Sequence, residues 1–128
     1  MNREIKFRVW DILDCRMITP DTGYQPHYIL TLNGVFLNLQ NGVGGNEVIV
    51  MQYTGLKDKN GVEIYEDDIV RVSSEQYINE NYVGTIIFDE GSFLTKISDN
   101  DIRGVFSGED QDIVVIGNIH TNPELLTQ

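Results

Sequence analysis

One cysteine and two histidines are all this chain has of the side chains that most often bind transition metals or serve as nucleophile and base. Cys15 has no partner within the chain, which excludes an internal disulfide framework and a thiolate zinc cluster. Long hydrophobic runs are missing as well. No stretch approaches the roughly 20 apolar residues of a membrane helix, and the opening MNREIKFRVWD lacks the apolar core of a secretory signal. A soluble protein of the cytoplasm, without membrane contact, is expected. Basic residues are scarce too, nine against 20 acidic ones, and the net charge of −11 argues against direct nucleic-acid binding, which needs clustered Lys and Arg. What remains, 128 residues with 41% hydrophobic side chains, suits one ordinary domain over residues 1–128.

The charge is unevenly placed. Residues 1–57 hold five acids and five bases, whereas residues 58–112 hold fourteen acids against Lys59, Arg71, Lys96 and Arg103, a local charge of −10. Such asymmetry bears on solubility and association and favours basic partners.

Strand signals run from end to end. In Ile5-Lys6-Phe7-Arg8-Val9, apolar and basic residues alternate, which at period two predicts Ile5, Phe7 and Val9 on a buried face with Lys6 and Arg8 outside. Cys15 to Ile18 can return on this strand. Tyr28 to Leu32 and Val35 to Leu39 flank Asn33-Gly34, the dipeptide that favours a type I′ hairpin. The glycine-rich segment 41–46 is followed by no helix pattern, so it lacks the context of a phosphate-binding loop. Further strands are expected at 47–53, 62–65, 69–72, 82–89, 92–97 and 113–116, with a second Asn-Gly pair at 60–61 and a long polar loop from Ser73 to Asn81. Asn122-Pro123-Glu124 is a helix start long enough for one turn, and its Leu125 and Leu126 are expected to plug one end of the fold. The whole reads as mainly β: a small, partly open barrel-like domain with a short C-terminal helical turn, most regular over 47–119.

Three segments, IKFRVWD at 5–11, MQYTGLKDKNGVEIYEDDIV at 51–70 and VIGNIHTNPELL at 115–126, together resemble the YopX family, small proteins of phages and prophages of Gram-positive bacteria. The resemblance implies a mostly β structure and a bacterial cytoplasmic setting, and it supplies no biochemical role. Two positions depart from the family's pattern. Asp67 stands where glycine is usual, which implies a turn conformation that aspartate tolerates less well, and His120 stands where an aromatic is common, which makes it a poor candidate for a shared catalytic residue.

No residue set assembles a reaction, and neither an enzyme nor a cofactor is expected. Glu66-Asp67-Asp68, which Asp58 and Asp89 could approach, is the best place to look for a divalent cation, but the run lacks the spacing of a calcium loop, and neighbouring strand residues face opposite ways. Glu66 and Asp68 are therefore weak metal candidates; a structural turn aiming Asp68 at a backbone N–H is the simpler expectation. Cys15 reads as a small buried hydrophobe. A protein-interaction role fits better, since six tyrosines (Tyr24, Tyr28, Tyr53, Tyr65, Tyr77, Tyr82) could supply an amphipathic surface. Gln52, Tyr53, Thr54, Gly55 and Asp58 are the candidate binding residues, on a turn so specified that it either presents a fixed surface or holds hairpin geometry. The partner would be a protein. The acidic half could instead seat a basic surface of a DNA-handling protein, and unpaired strand edges could support a homo-oligomer.

Overall fold

The structure, a computed structural model, describes residues 4–20, 28–38, 48–74, 81–104 and 111–126. The glycine-rich segment 41–46, most of the loop between Ser73 and Asn81, and Tyr24, His27 and Tyr77 lie outside these. The chain is mainly β and divides into two compact units, Lys6–Gln52 and Met1–Ile5 with Tyr53–Gln128.

In the first unit, β1 (Phe7–Asp11) pairs antiparallel with β2 (Arg16–Ile18) and with the first half of β5 (Val48–Lys57), while β3 (Tyr28–Leu30) and β4 (Phe36–Asn38) form a separate hairpin. Its core is Val9, Ile18 and Phe36, with Leu30, Val48 and Val50 packed against them. Register explains the set: Val9 lies opposite both Ile18 and Val50, so the three share one face. The alternation predicted for β1 therefore holds in phase, yet it does not decide burial. Ile5 lies ahead of the strand and is 59% exposed, Phe7 is 37% exposed, and Arg8, expected outside, is buried on the opposite face across from Met51. A two-residue period fixes only which side chains share a face; both faces of β1 are partly covered, so charge did not mark the outer one.

Cys15 is exposed, not buried, in the turn between β1 and β2, with φ 51°, a left-handed conformation. The β3–β4 hairpin exists, but its turn is not type I′. Only Gly34 has positive φ, 82°, and the amide of Gly34 donates to Thr31 O at 2.9 Å, so Leu32 and Asn33 are the turn's centre and glycine follows as a bulge.

In the second unit, five antiparallel strands in the order β10-β9-β8-β7-β11 make a sheet curled into a half-barrel: β7 (Asp68–Ser74), β8 (Tyr82–Asp89), β9 (Ser92–Ser98), β10 (Asp101–Gly104) and β11 (Gln111–Asn118). The short β6 (Glu63–Tyr65) pairs with the second half of β5. The core is Ile64, Val70, Val72, Ile86 and Ile113, and each such aliphatic side chain contributes about 1.5–3 kcal/mol on burial. Strand β7 lies between β8 and β11, and Ile69 and Val70 are both fully buried although they face opposite sides. The β8–β9 hairpin has the expected two-residue loop, Glu90-Gly91, with φ 50° and 82°, both positive as type I′ demands.

Strand β10 was not expected from the sequence. Asp101 and Arg103 bracket a single apolar residue there, too short a run for a pattern, and Arg103 holds the edge by pairing with Asp101 at 3.0 Å and lying 4.6 Å from the ring centroid of Tyr82. The hydrogen bond that Arg103 donates to the Asp101 carboxylate is the main reason the Arg103 pKa is raised. A 3-10 turn, Pro123–Leu126, closes the chain as Asn-Pro predicts. It does not plug a barrel end with both leucines: Leu126 is 45% exposed, and only Leu125 approaches the sheet, over Gly117.

Candidate functional site

The middle block is held by its own backbone. Between Tyr53, which pairs with Tyr65, and Lys57, which pairs with Glu63, β5 carries two residues more than β6 and bulges outward. Gly55 takes φ 88° at the bulge and has open space around it, and the Thr54 hydroxyl donates to Ile64 O at 2.8 Å while accepting from the Leu56 amide at 3.1 Å. Gln52 is half-buried. Tyr53 and Tyr65 are not surface residues; they are 4% and 6% exposed, with ring centroids 5.4 Å apart.

Asp58 begins the next turn and is 7% exposed. Its Oδ1 accepts from the amides of Asn60 at 2.8 Å and Val62 at 2.9 Å, and its Oδ2 accepts from the amide of Val115 at 2.9 Å. The Lys59 amide donates to Ile113 O at 2.9 Å, and the Lys59 ammonium reaches Asp112 at 3.3 Å. One carboxylate thus shapes the β5–β6 turn and fastens it along the outer edge of β11, using backbone groups that an edge strand would otherwise offer to another chain. Of the candidate binding residues, Gly55 is the exposed one; Thr54 and Asp58 are committed to holding hairpin geometry.

The acidic turn follows the structural expectation. Asp68, 1% exposed, accepts from the Tyr65 amide at 2.8 Å through Oδ2. Asp67 adopts φ 69°, donates its amide to Ile86 O at 2.8 Å, and accepts from the Ile119 amide at 3.0 Å. Its carboxylate points at the C-terminal segment, where Oδ2 lies 2.9 Å from His120 Nε2. The backbone of His120 is held in turn, its amide donating to Asn118 Oδ1 at 3.0 Å. No group of three His, Cys, Asp or Glu side chains suited to a metal occurs among the described residues.

A different feature, which strand alternation did not reveal, lies in the first unit. A cleft of about 290 Å³ is lined by Phe7, Val9, Ile18, Thr19, Pro20, Ile29, Leu30 and Phe36. Seven of the eight are apolar, and Phe7 and Ile29 are 37% and 42% exposed at its mouth. The usable signal was at the hairpin tip: Leu32 sits in the middle of a tight turn, where polar residues are usual, and is 107% exposed.

The chain matches the YopX protein family over residues 6–127. It belongs to the YopX family. Among solved structures it is similar to YopX from Bacillus subtilis, with 28% sequence identity, a TM-score of 0.66, and coverage of 94% of this chain and 97% of that one. It is also similar to protein EF1440 from Enterococcus faecalis, with 29% identity, a TM-score of 0.61, and coverage of 98% and 99%. No curated protein matches. The YopX family is one of unknown function. No helix among the described residues is long and apolar enough to cross a membrane.

Proposed function

We propose that this YopX protein is a phage or prophage accessory protein of the bacterial cytoplasm, a non-catalytic interaction module that grips an apolar side chain of a protein partner in the cleft of its first unit. The observation that carries the reading is the lining of that cleft. Phe7, Ile18, Ile29 and Phe36 give it a wall that rewards burial of apolar surface, and Thr19 is its one polar side chain. The acidic second unit supports a basic partner less well, because Asp58 and Asp68 are occupied with backbone amides, and Asp101 and Asp112 with Arg103 and Lys59.

The test is capture from host lysate by the tagged protein, wild type against Ile29→Lys, at low and high salt. Loss of the captured partner in the variant, with retention at high salt, supports the cleft. Capture that survives Ile29→Lys but disappears at high salt moves the interface to the acidic segment 58–112, since only exposed charge contacts are screened that strongly.

A further inference from the structure

Two turns in this chain follow one plan and differ at one informative position. In Thr31-Leu32-Asn33-Gly34-Val35 and in Asp58-Lys59-Asn60-Gly61-Val62, the first amide donates to the fifth carbonyl at 2.9 and 2.8 Å, and the fourth amide donates to the first carbonyl at 2.9 and 3.0 Å. The fifth amide donates to the first residue's side-chain oxygen, Thr31 Oγ1 at 3.0 Å and Asp58 Oδ1 at 2.9 Å, and the two glycines share φ near 82° and 84°. Nothing in this plan uses the second side chain. One turn places Lys59 there, its side chain 57% exposed and ion-paired with Asp112. The other places Leu32 there, 107% exposed. A position that accepts lysine but holds a fully exposed leucine has an apolar side chain from which the fold gains nothing.

The hairpin that raises Leu32 also lines the cleft, through Ile29, Leu30 and Phe36. Projection and hollow therefore stand side by side on one unit, an arrangement that is complementary to itself about a two-fold axis. We propose that the occupant of the cleft is a second copy of this chain, each copy seating Leu32 in the cleft of the other; the inference rests on the cleft being the interaction surface. Charge restricts where two copies can meet. Residues 58–112 hold −10 and would repel the same segment of an identical partner, whereas residues 1–57 balance five acids with five bases, and the cleft and Leu32 both lie in that neutral part. Size agrees, because about 290 Å³ is at the lower limit of small-ligand pockets and suits a side chain rather than a cofactor. Val35, 52% exposed beside the turn, widens the apolar ridge that the contact would cover.

Sedimentation equilibrium of the full chain over a wide concentration range tests this, with wild type, Leu32→Lys and Ile29→Lys side by side. Leu32→Lys copies the residue of the twin turn, so its thermal melt, followed by circular dichroism on dilute monomer, should match that of wild type. The expected result is a reversible wild-type dimer whose dissociation constant rises by roughly tenfold or more in each variant. Added salt should tighten the wild-type dimer, by screening repulsion between the acidic segments. A wild type that stays monomeric throughout overturns the inference, as does a dimer untouched by both variants. Binding of the apolar dye anilinonaphthalene sulfonate separates the two ideas. A monomer that binds dye in an Ile29-dependent way removes the second copy and keeps the cleft; a monomer whose dye binding ignores Ile29→Lys removes both.

Discussion

Asp67 Oδ2 lies 2.9 Å from His120 Nε2, although 53 residues separate them in the chain. The two residues compensate each other: a residue with φ 69° costs less as glycine, and the aspartate carboxylate offsets that cost by meeting an imidazole whose side chain is only 11% exposed. The expected result is coupling. Asp67→Gly and His120→Phe should each lose the pair, and the double variant should be more stable than the sum of the single effects by on the order of 1 kcal/mol. A double-mutant cycle by urea unfolding measures this, and strict additivity would refute the linkage.

Asp58 should be among the costliest single side chains to remove. Its carboxylate satisfies three backbone amides at 2.8 to 2.9 Å, and Asp58→Ala leaves them without that acceptor at a position only 7% exposed. Destabilisation of about 2–4 kcal/mol is expected from the lost bonds and the stranded donors. Asp58→Asn retains one acceptor oxygen and should cost less. Hydrogen exchange at the Val115 amide reports the bond to β11 directly: faster exchange in Asp58→Ala is required if the carboxylate is the clasp.

The sequence was most informative where a local rule determines conformation. Glu90-Gly91 could be placed as a two-residue hairpin, and Asp68 as the acceptor for a nearby amide, because both depend on residues within a few positions. Burial was harder to read. Arg8 and Phe7 exchanged their expected environments because exposure depends on what covers each face of β1, which the alternation itself does not encode. The same reason hid the cleft, whose walls are brought together from β1, β2 and the β3–β4 hairpin. Candidate site residues in the middle block stood out because the turn is strongly specified, and the specification turned out to be that of a clasp: Thr54 and Asp58 spend their oxygens on backbone groups.

Glu90 occupies a left-handed position with φ 50°, followed by Gly91 at 82°. Type I′ turns favour Asn-Gly, because asparagine tolerates this region better than a longer side chain does. Glu90→Asn should therefore stabilise the protein by about 0.5–1 kcal/mol and relieve one negative charge at the exposed tip next to Asp89. A shift of the urea midpoint upward, with unchanged slope, is the expected signature. A lower midpoint would mean that the left-handed backbone is not what limits this turn.

Gly84 in β8 is required by a neighbour rather than by its own backbone. A Cβ added there would come 2.7 Å from Thr95 Cγ2, 3.0 Å from Lys96 O and 3.4 Å from Ile97 Cγ1, and Thr95 is 1% exposed with no room to withdraw. Gly84→Ala should destabilise by about 1–3 kcal/mol, the cost of overpacking. Because the shortest contact is a methyl group that serine lacks, Thr95→Ser should recover part of the loss in the double variant, while the contact with the Lys96 carbonyl remains. If Gly84→Ala alone were neutral, β8 and β9 would have to separate readily at this point, and the midpoints of the four proteins in one cycle would show it as additivity.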